Sequence, residues 1–320
     1  MMLSVALCTY NGAQFIRAQI ESILRQTLPV DEIVVCDDGS TDNTLQIIES
    51  FRSETPTKIR IYRNETNLGV CANFQKAVNL CNGDIIFLSD QDDVWYPNKV
   101  EVIFRWFEEN PDKCVVFSNA DLIDMNGEPI AGKTCFDSVG FTETTQKHFA
   151  EGFQLEIFSK INRATGATMA IKSDHHRYNT LLNIYNNSDI QNSRLLHDSF
   201  YANLAASEGK LGFIPSSLMQ YRIHNSQSMG LPPIENPYID KGCIFNFRRD
   251  FSKYEQFDQW GEKYTSKLKF IQFRQDSSLY CKIRNYRCYK KIYSKKWRTA
   301  LLYDIYHKFR HTWLTTNNSY

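Results

Sequence analysis

The residues of this chain best suited to chemistry are three carboxylates within four positions, in the segment Ser89-Asp90-Gln91-Asp92-Asp93-Val94-Trp95. They follow directly on the apolar run at 85–88, which predicts a buried strand. Open α/β sheets bind their ligands beyond the carboxyl ends of the strands, and carboxylate oxygens are ligands that Mg²⁺ and Mn²⁺ prefer. The segment therefore predicts a site for a divalent cation and a phosphate group at one edge of a sheet.

Two earlier apolar runs also end in polar residues. Asp37 and Asp38 follow one of them, and Thr9 and Tyr10 follow the first run of the chain. An ionised Asp38, together with Asp37, can accept the imide N–H of a uracil or thymine ring, because a carboxylate only accepts hydrogen bonds. Tyr10 could stack on that base while Thr9 bonds the backbone nearby. The alternative for Asp-Asp-Gly-Ser is a turn that caps the next helix.

Short apolar runs alternate with stretches at helical spacing, a pattern typical of βαβ units built on a parallel sheet. Before residue 127 the pattern predicts strands at 3–8, 33–36, 59–62, 85–88 and 114–117, and helices near 16–24, 40–48, 70–81 and 97–107. Residues 127–160 lack a sustained period and are expected to form a loop-rich insertion. Beyond them we expect small residues from 164 that lead into an apolar strand ending at 171, strands at 211–214 and 218–223, and a helix at 195–206.

With these motifs, the N-terminal half resembles the family 2 glycosyltransferases, enzymes of the GT-A fold that move a sugar from a nucleotide diphosphate to an acceptor. The Ser-Asp-Gln-Asp-Asp-x-Trp form is similar to the bacterial polysaccharide and rhamnosyltransferase branch. The resemblance covers about residues 1–229, with the nucleotide-sugar side at about 1–125 and the acceptor side at about 126–229. It implies an α/β GT-A (Rossmann-like) fold, followed at 230–320 by a linker and a helical C-terminal extension.

The resemblance also implies roles for the polar strand ends. Asp92 of the D-x-D element would bind the metal, and Asp90 would face the metal or the ribose; an acidic surface turn before the next helix is the alternative. Asn67-Leu68-Gly69 is similar to the element that lets backbone approach the nucleotide, unless Gly69 is an ordinary turn glycine. The predicted ligands of the nucleotide sugar are Thr9, Tyr10, Asn11, Asp37, Asp38, Asn67, Gly69, Asn73, Asp90, Gln91, Arg163, Gly166 and Arg222. The predicted ligands of Mg²⁺ or Mn²⁺ are Asp92, Asp90 and His224.

Transfer to a hydroxyl also needs a general base. The pair His197-Asp198 opens the predicted helix at 195–206 and matches the family position of that base, so Asp198 is the predicted catalytic residue. The alternative is an acid favoured by the helix dipole. Alternation along a strand would place Arg222 and His224 on one face, towards the leaving diphosphate, although a lone histidine is usually structural.

The C-terminal segment 277–320 differs electrostatically from the rest of the chain. It carries ten Lys or Arg against the single acid Asp304, a local charge of +9 in a protein whose net charge is +1. Aromatic or aliphatic residues recur every four positions from Tyr289 to Trp313. Such helices can lie on an anionic membrane, or they can pack against the catalytic domain or a second subunit as a homo-oligomer. No groove-reading motif accompanies them, so nucleic acid is not the expected partner.

Composition indicates an ordinary globular protein of the cytoplasm. Hydrophobic residues make up 42% of the 320 residues and charged residues 23%, values that exclude a strongly basic or acidic class. The nine cysteines show no C-x-x-C spacing, which makes structural zinc unexpected. The N-terminus reads as a first strand rather than a leader, and no uninterrupted apolar window reaches the length of a membrane span. Peripheral attachment to the inner face of the cytoplasmic membrane remains compatible with the basic tail.

The sequence thus predicts a metal-dependent, inverting glycosyltransferase of surface polysaccharide (O-antigen or capsule) biosynthesis. Its donor would be a UDP- or dTDP-linked sugar and its acceptor a glycan or a lipid-linked saccharide. A nucleotidyltransferase is one alternative, but the turn after the first strand lacks the basic Gly-rich loop that such an enzyme needs. A catalytically silent sugar-nucleotide binder or scaffold is the other. An NAD-dependent enzyme is disfavoured because no G-x-G-x-x-G follows a strand.

Overall fold

A computed structural model describes residues 1–154, 157, 158, 162–172, 196–225, 227 and 230. The strands are β1 Leu3–Thr9, β2 Glu32–Asp37, β3 Lys58–Arg63, β4 Ile85–Ser89, β5 Val94–Trp95, β6 Val115–Ile123, β7 Pro129–Thr134, β8 Met169–Lys172 and β9 Leu211–Arg222. The helices are α1 Ile16–Leu24, α2 Thr44–Phe51, α3 Val70–Leu80, α4 Lys99–Glu109, α5 Cys135–Ser138, α6 Glu143–Ala150 and α7 His197–Ser207. A 3₁₀ turn covers Gly166–Thr168.

The described strands form one mixed sheet in the order β3-β2-β1-β4-β8-β6-β9-β5, with β7 pairing on β6. Strands β1 to β4 are parallel, and β8 then runs antiparallel to both β4 and β6. In the register, Thr9 lies opposite Asp37, and Leu7 lies opposite Ser89. The carboxyl ends of β1, β2 and β4 therefore meet at one edge, and the polar residues that follow them are brought together there.

Helices cover both faces of the parallel strands. In β1, Val5 and Leu7 face the α1 and α4 side, whereas Ala6 and Cys8 face the α3 and α7 side. All seven residues of β1 are buried, as expected for a strand covered on both sides. This double burial explains why the strands that deliver the polar residues are continuous apolar runs instead of alternating ones.

Two sequence predictions about the second half are wrong. Residues 127–160 are not mainly loop, because they contain β7, α5 and α6. Their buried aromatic rings, Phe136, Phe141 and Phe149, pack on Phe117 or on one another, at spacings that belong to no single helix or strand. The two strands expected at 211–214 and 218–223 are one strand, β9, whose pairing with β6 shifts register near Asn119. The exposed Pro215 and Ser216 interrupt the apolar pattern at that irregularity, so the sequence predicts two strands where there is one.

The C-terminal extension at 230–320, including the basic segment 277–320, lies outside the described residues apart from Gly230. Within the described part of the chain, no helix is both long and apolar enough to cross a membrane.

Candidate active site

A cleft of about 550 Å³ opens at the sheet edge where β1, β2 and β4 end. All the predicted site residues line it except Asp37, Arg163 and Arg222. The residues that the cleft brings together are Thr9, Tyr10, Asn11, Asp38, Asn67, Gly69, Asn73, Asp90, Gln91, Asp92, Gly166, Asp198 and His224. They come from both halves of the chain, so the site forms only when the sheet is complete.

The three remaining residues do not line the cleft and instead make hydrogen bonds to protein segments. The Asp37 carboxylate accepts hydrogen bonds from the Ser40 backbone N–H at 2.8 Å and from the Thr9 hydroxyl at 3.3 Å. Arg163 donates to the carbonyl oxygens of residues 139 and 140. Arg222 donates from Nε to the Asp92 carbonyl oxygen at 2.7 Å. Since β9 ends at Arg222, strand alternation does not continue to His224, and only His224 reaches the cleft.

The loop after β4 divides its three acids between two tasks. Asp92 faces the cleft, and its Oδ2 lies 2.8 Å from Nε2 of His224. Asp93 is buried, with Oδ1 accepting from the Arg222 backbone N–H at 3.0 Å and Oδ2 without a partner among the described residues. Asp93 therefore shapes the loop, whereas Asp90 and Asp92 are available to a ligand.

The electrostatics of this loop favour a bound cation. Burial, and then the carboxylates of Asp92 and Asp198, raise the pKa of Asp90 to about 8, while Lys99 opposes the rise. A divalent cation would remove the repulsion among these acids. No set of three or more His, Cys, Asp or Glu in the described ranges is already arranged around one metal position. Asp92 and His224 thus fit a partial metal site that phosphate oxygens, water or Asp90 would complete.

Asp38, which also lines the cleft, organises the turn before α3. Its Oδ1 accepts from the Leu68 backbone N–H and from the Asn64 side chain, each at 2.7 Å, and its Oδ2 accepts from the Gly69 N–H at 2.9 Å. A carboxylate offers about four acceptor positions, so one on Oδ2 remains for a ligand N–H. Gly69 has φ +80°, a conformation that favours glycine. Open space surrounds the position of its missing Cβ, so the backbone and not crowding selects glycine there.

Gln91 fixes the turn after β1. Its side-chain amide accepts from the Tyr10 N–H at 2.8 Å and donates to the Tyr10 carbonyl at 3.0 Å. A Cβ on Gly12 would lie 2.1 Å from the Gln91 Oε1, so a larger residue there would have to displace the Gln91 side chain from this position. The Tyr10 side chain is left 47% exposed at the mouth of the cleft, where a planar base could stack.

Asp198 occupies the first turn of α7 and lines the cleft. Burial raises its pKa to about 6, and hydrogen bonds from the backbone of Ser199 and Gly166 and from the Asn162 side chain limit the rise. A Cβ on Gly166 would lie 2.9 Å from Nε2 of His197 and 3.4 Å from Cβ of Asp198. The turn that carries Gly166 packs directly on the start of α7, so a larger residue at position 166 would not fit without a shift.

Sequence reasoning gave His197 no definite role and missed Lys99. The His197 ring stacks on Phe74 at 4.1 Å between centroids, and burial lowers its pKa to about 3, so the imidazole is neutral. The Lys99 side chain is fully buried beneath the acid loop. One signal could have revealed Lys99, because it lies in phase with the apolar residues Ile103 and Phe107 of α4.

A mixed α/β sheet that gathers polar side chains from three strand ends, with carboxylates from two of them, around one cleft is the architecture of a GT-A glycosyltransferase. The sequence model of Glycosyl transferase family 2 matches residues 4–177, more than half of the chain. The protein belongs to this family, and it is a glycosyltransferase. The predicted family and fold are thereby confirmed.

Individual relatives agree with this assignment. The chain is 31% identical over 236 residues to the dTDP-rhamnosyl transferase RfbG of Shigella flexneri, covering 70% of this chain and 73% of the relative. It is 32% identical over 130 residues to the chondroitin synthase of Escherichia coli, covering 41% of this chain and 19% of that protein. Among solved structures, the S. aureus TarS 1-349 complex with UDP-GlcNAc aligns with a TM-score of 0.50 at 18% identity, covering 75% of this chain and 62% of that one. This structural likeness shows the shared fold.

Proposed function

We propose that the protein is a metal-dependent, inverting glycosyltransferase that moves a sugar from a UDP- or dTDP-linked donor to a glycan or lipid-linked saccharide of a surface polysaccharide such as O-antigen or capsule. The observation that carries the proposal is the pairing of two different acidic groups in one cleft. Asp92 with His224 offers a cation and diphosphate site, and Asp198 offers a separate buried carboxylate. One cleft therefore holds groups suited to a leaving diphosphate and a separate carboxylate suited to an acceptor hydroxyl.

In the proposed reaction, Asp198 accepts the proton of an acceptor hydroxyl as its oxygen bonds to the anomeric carbon. The bond between that carbon and the diphosphate oxygen breaks on the opposite side, so a single displacement inverts the configuration. Mg²⁺ or Mn²⁺, held by Asp92, His224 and Asp90, would neutralise the negative charge that develops on the diphosphate. The hydrogen bonds on Asp198 from Gly166 and Ser199 keep the carboxylate oriented towards the cleft.

Base recognition is assigned to Asp38 and Tyr10. Asp38 keeps an acceptor position open, and the imide edge that fits it is shared by uracil and thymine. The Shigella relative is a dTDP-rhamnosyl transferase, which supports a dTDP-linked donor over the other candidates.

A thermal-shift screen tests this function directly. UDP, dTDP and GDP, and their sugar conjugates, are added with and without Mn²⁺, since a ligand that binds only the native state raises the Tm. We expect UDP or dTDP compounds to stabilise the protein and Mn²⁺ to strengthen the effect. A separate activity assay with the stabilising donor should then show transfer of the sugar or slow hydrolysis of the donor. Stabilisation without hydrolysis or transfer would favour the silent binder, and no stabilisation by any of these compounds would contradict the proposal.

The rate of transfer should depend on pH through Asp198. Its pKa is raised to about 6, so the carboxylate is protonated and unable to accept a proton below that pH. We expect kcat to be nearly constant above this value and to fall about tenfold per pH unit below it. A pH profile of kcat with saturating donor measures this fall at low pH, called the acid limb. A profile that stays flat down to pH 4 would contradict the role of Asp198 as the base.

The basic segment 277–320 is assigned to an anionic membrane surface on the cytoplasmic side. A chain that ends near residue 276 should lose binding to phosphatidylserine vesicles and keep activity on a soluble acceptor. Attraction of about 1 kcal/mol per basic residue weakens with salt, so binding of the full chain should fall steeply as ionic strength rises. Co-sedimentation across a salt series measures both effects. Binding that is insensitive to salt would show that the segment packs on the catalytic domain or on a second subunit.

A further inference from the structure

We propose that Lys99 is a positioning residue for transfer. Its buried ammonium group holds the 3₁₀ turn Gly166–Thr168 in place, and this 3₁₀ turn orients the Asp198 carboxylate. The inference rests on the proposed role of Asp198 as general base. Lys99 does not line the cleft, so its side chain lies outside the space where the donor and acceptor would bind. Its effect on the reaction is transmitted through the backbone of the turn.

The ammonium group of Lys99 joins three elements at one point. Its Nζ donates to the Ala167 carbonyl oxygen at 2.9 Å, contacts the Met219 sulfur at 3.2 Å, and lies 4.0 Å from the centroid of the Trp95 ring. The Ala167 carbonyl is the strongest acceptor of the three. The 3₁₀ turn, β9 and β5 are therefore fastened together beneath the acid loop.

Packing alone does not explain a lysine at this position. A buried ammonium group is unfavourable unless hydrogen bonds and opposite charges compensate it, and an apolar side chain would fill the same space. No carboxylate in the described ranges forms an ion pair with Lys99; Asp93 and Asp90 act on it only from a distance. Burial lowers the pKa of Lys99 to about 7 in spite of those two acids. What the lysine supplies, and an apolar residue cannot, is a hydrogen bond to Ala167, besides a positive charge that lowers the pKa of Asp93 and Asp90.

The residue before Ala167 carries the connection to the candidate base. The Gly166 backbone N–H faces the Asp198 carboxylate and lowers its pKa, and a Cβ on Gly166 would lie 3.4 Å from Cβ of Asp198. The turn is stiff, because the Thr168 N–H and hydroxyl both bond the Thr165 carbonyl, at 3.0 and 2.7 Å. A shift of Ala167 would therefore move Gly166 as well. Gly166 in turn has no free space against His197 and Asp198, so the shift would reach the start of α7.

Lys99→Met tests the inference, because methionine keeps the length and apolar stem of the side chain and removes the ammonium group. We expect kcat to fall about ten- to a hundredfold, the cost of a misplaced catalytic group, with the Kd for UDP or dTDP within about twofold of wild type. The Gly166 hydrogen bond favours the ionised carboxylate, so its weakening should also move the acid limb of the kcat profile up by about one pH unit. A side chain that only filled the core would leave that limb unmoved.

Two further variants make the test specific. Trp95→Phe keeps the bond to Ala167 and reduces the contact with the indole ring, so it should leave the acid limb unchanged. Gly166→Ala disturbs the same connection from the side of the turn, so it should move the acid limb up as Lys99→Met does, and this readout remains if Lys99→Met folds poorly. In the Asp198→Asn background, Lys99→Met should cause less than a threefold further loss of kcat.

The outcomes separate this inference from the proposed function. A wild-type protein that neither transfers nor hydrolyses any nucleotide sugar would contradict the proposed function. An active wild type together with an unmoved acid limb in both Lys99→Met and Gly166→Ala would overturn the role of Lys99 alone. A full-sized loss of kcat on adding Lys99→Met to Asp198→Asn would overturn it as well, because the effect would then bypass Asp198.

Discussion

Replacing Asp198 with asparagine is expected to lower kcat by about two to four orders of magnitude while the Kd for UDP or dTDP stays close to that of the wild type. The amide keeps the size and the hydrogen-bonded place of the carboxylate at the start of α7, but it cannot accept the proton of an acceptor hydroxyl. Initial rates at saturating donor and acceptor give kcat, and calorimetric titration with the nucleoside diphosphate gives the Kd.

The matched control is Glu208→Gln, which removes a carboxylate just beyond the other end of the same helix, far from the cleft. It should leave both quantities unchanged. If donor affinity falls in Asp198→Asn and kcat does not, Asp198 belongs to the donor site. The base would then have to be sought elsewhere.

The parallel half of the fold could be predicted because each of its strands is buried on both faces. Such strands appear in the sequence as unbroken apolar runs, and the acids or hydroxyls that end them stand out against those runs. Asp38 and Asp90 were found in this way. The same reasoning failed beyond β6, where β9 bends at an irregular register and the aromatic cluster around Phe141 is assembled from several elements.

Which polar residues face the cleft and which are buried outside it could not be predicted from their spacing in the sequence. Asp92 and Asp93 are adjacent, yet one faces the cleft and the other is buried against the Arg222 backbone. Arg222 and His224 are two residues apart, yet the end of β9 between them sends only one into the cleft. Such choices depend on contacts between segments more than a hundred residues apart, which no local pattern records.

The contacts of Lys99 also could not be predicted from local sequence. A lysine in an amphipathic helix is normally exposed, and its sequence neighbours give no sign that an indole ring and a backbone carbonyl surround it. Its phase with Ile103 indicates that it faces inwards. What it bonds there is decided by the 3₁₀ turn, which lies about seventy residues further along the chain.

Replacing Asp92 with asparagine is expected to have an effect comparable in size to the loss of Asp198. The change removes the anionic oxygen that lies 2.8 Å from His224 and leaves the diphosphate charge without a firmly held cation. We expect kcat/KM to fall by at least about three orders of magnitude, and Mn²⁺ to lose its strengthening effect on the binding of UDP or dTDP. Calorimetric titration of the nucleotide with and without Mn²⁺ measures the second effect independently of turnover.

Asp112→Asn provides the control for this variant, since its side chain is 71% exposed and remote from the cleft. It should retain both the rate and the response to Mn²⁺. His224→Asn should weaken the Mn²⁺ response less than Asp92→Asn does, because an imidazole contributes a ligand atom and no negative charge. Wild-type rates in saturating chelator, or a full Mn²⁺ response in Asp92→Asn, would show that the Asp92 and His224 pair shapes the loop and that the leaving diphosphate is stabilised by other groups.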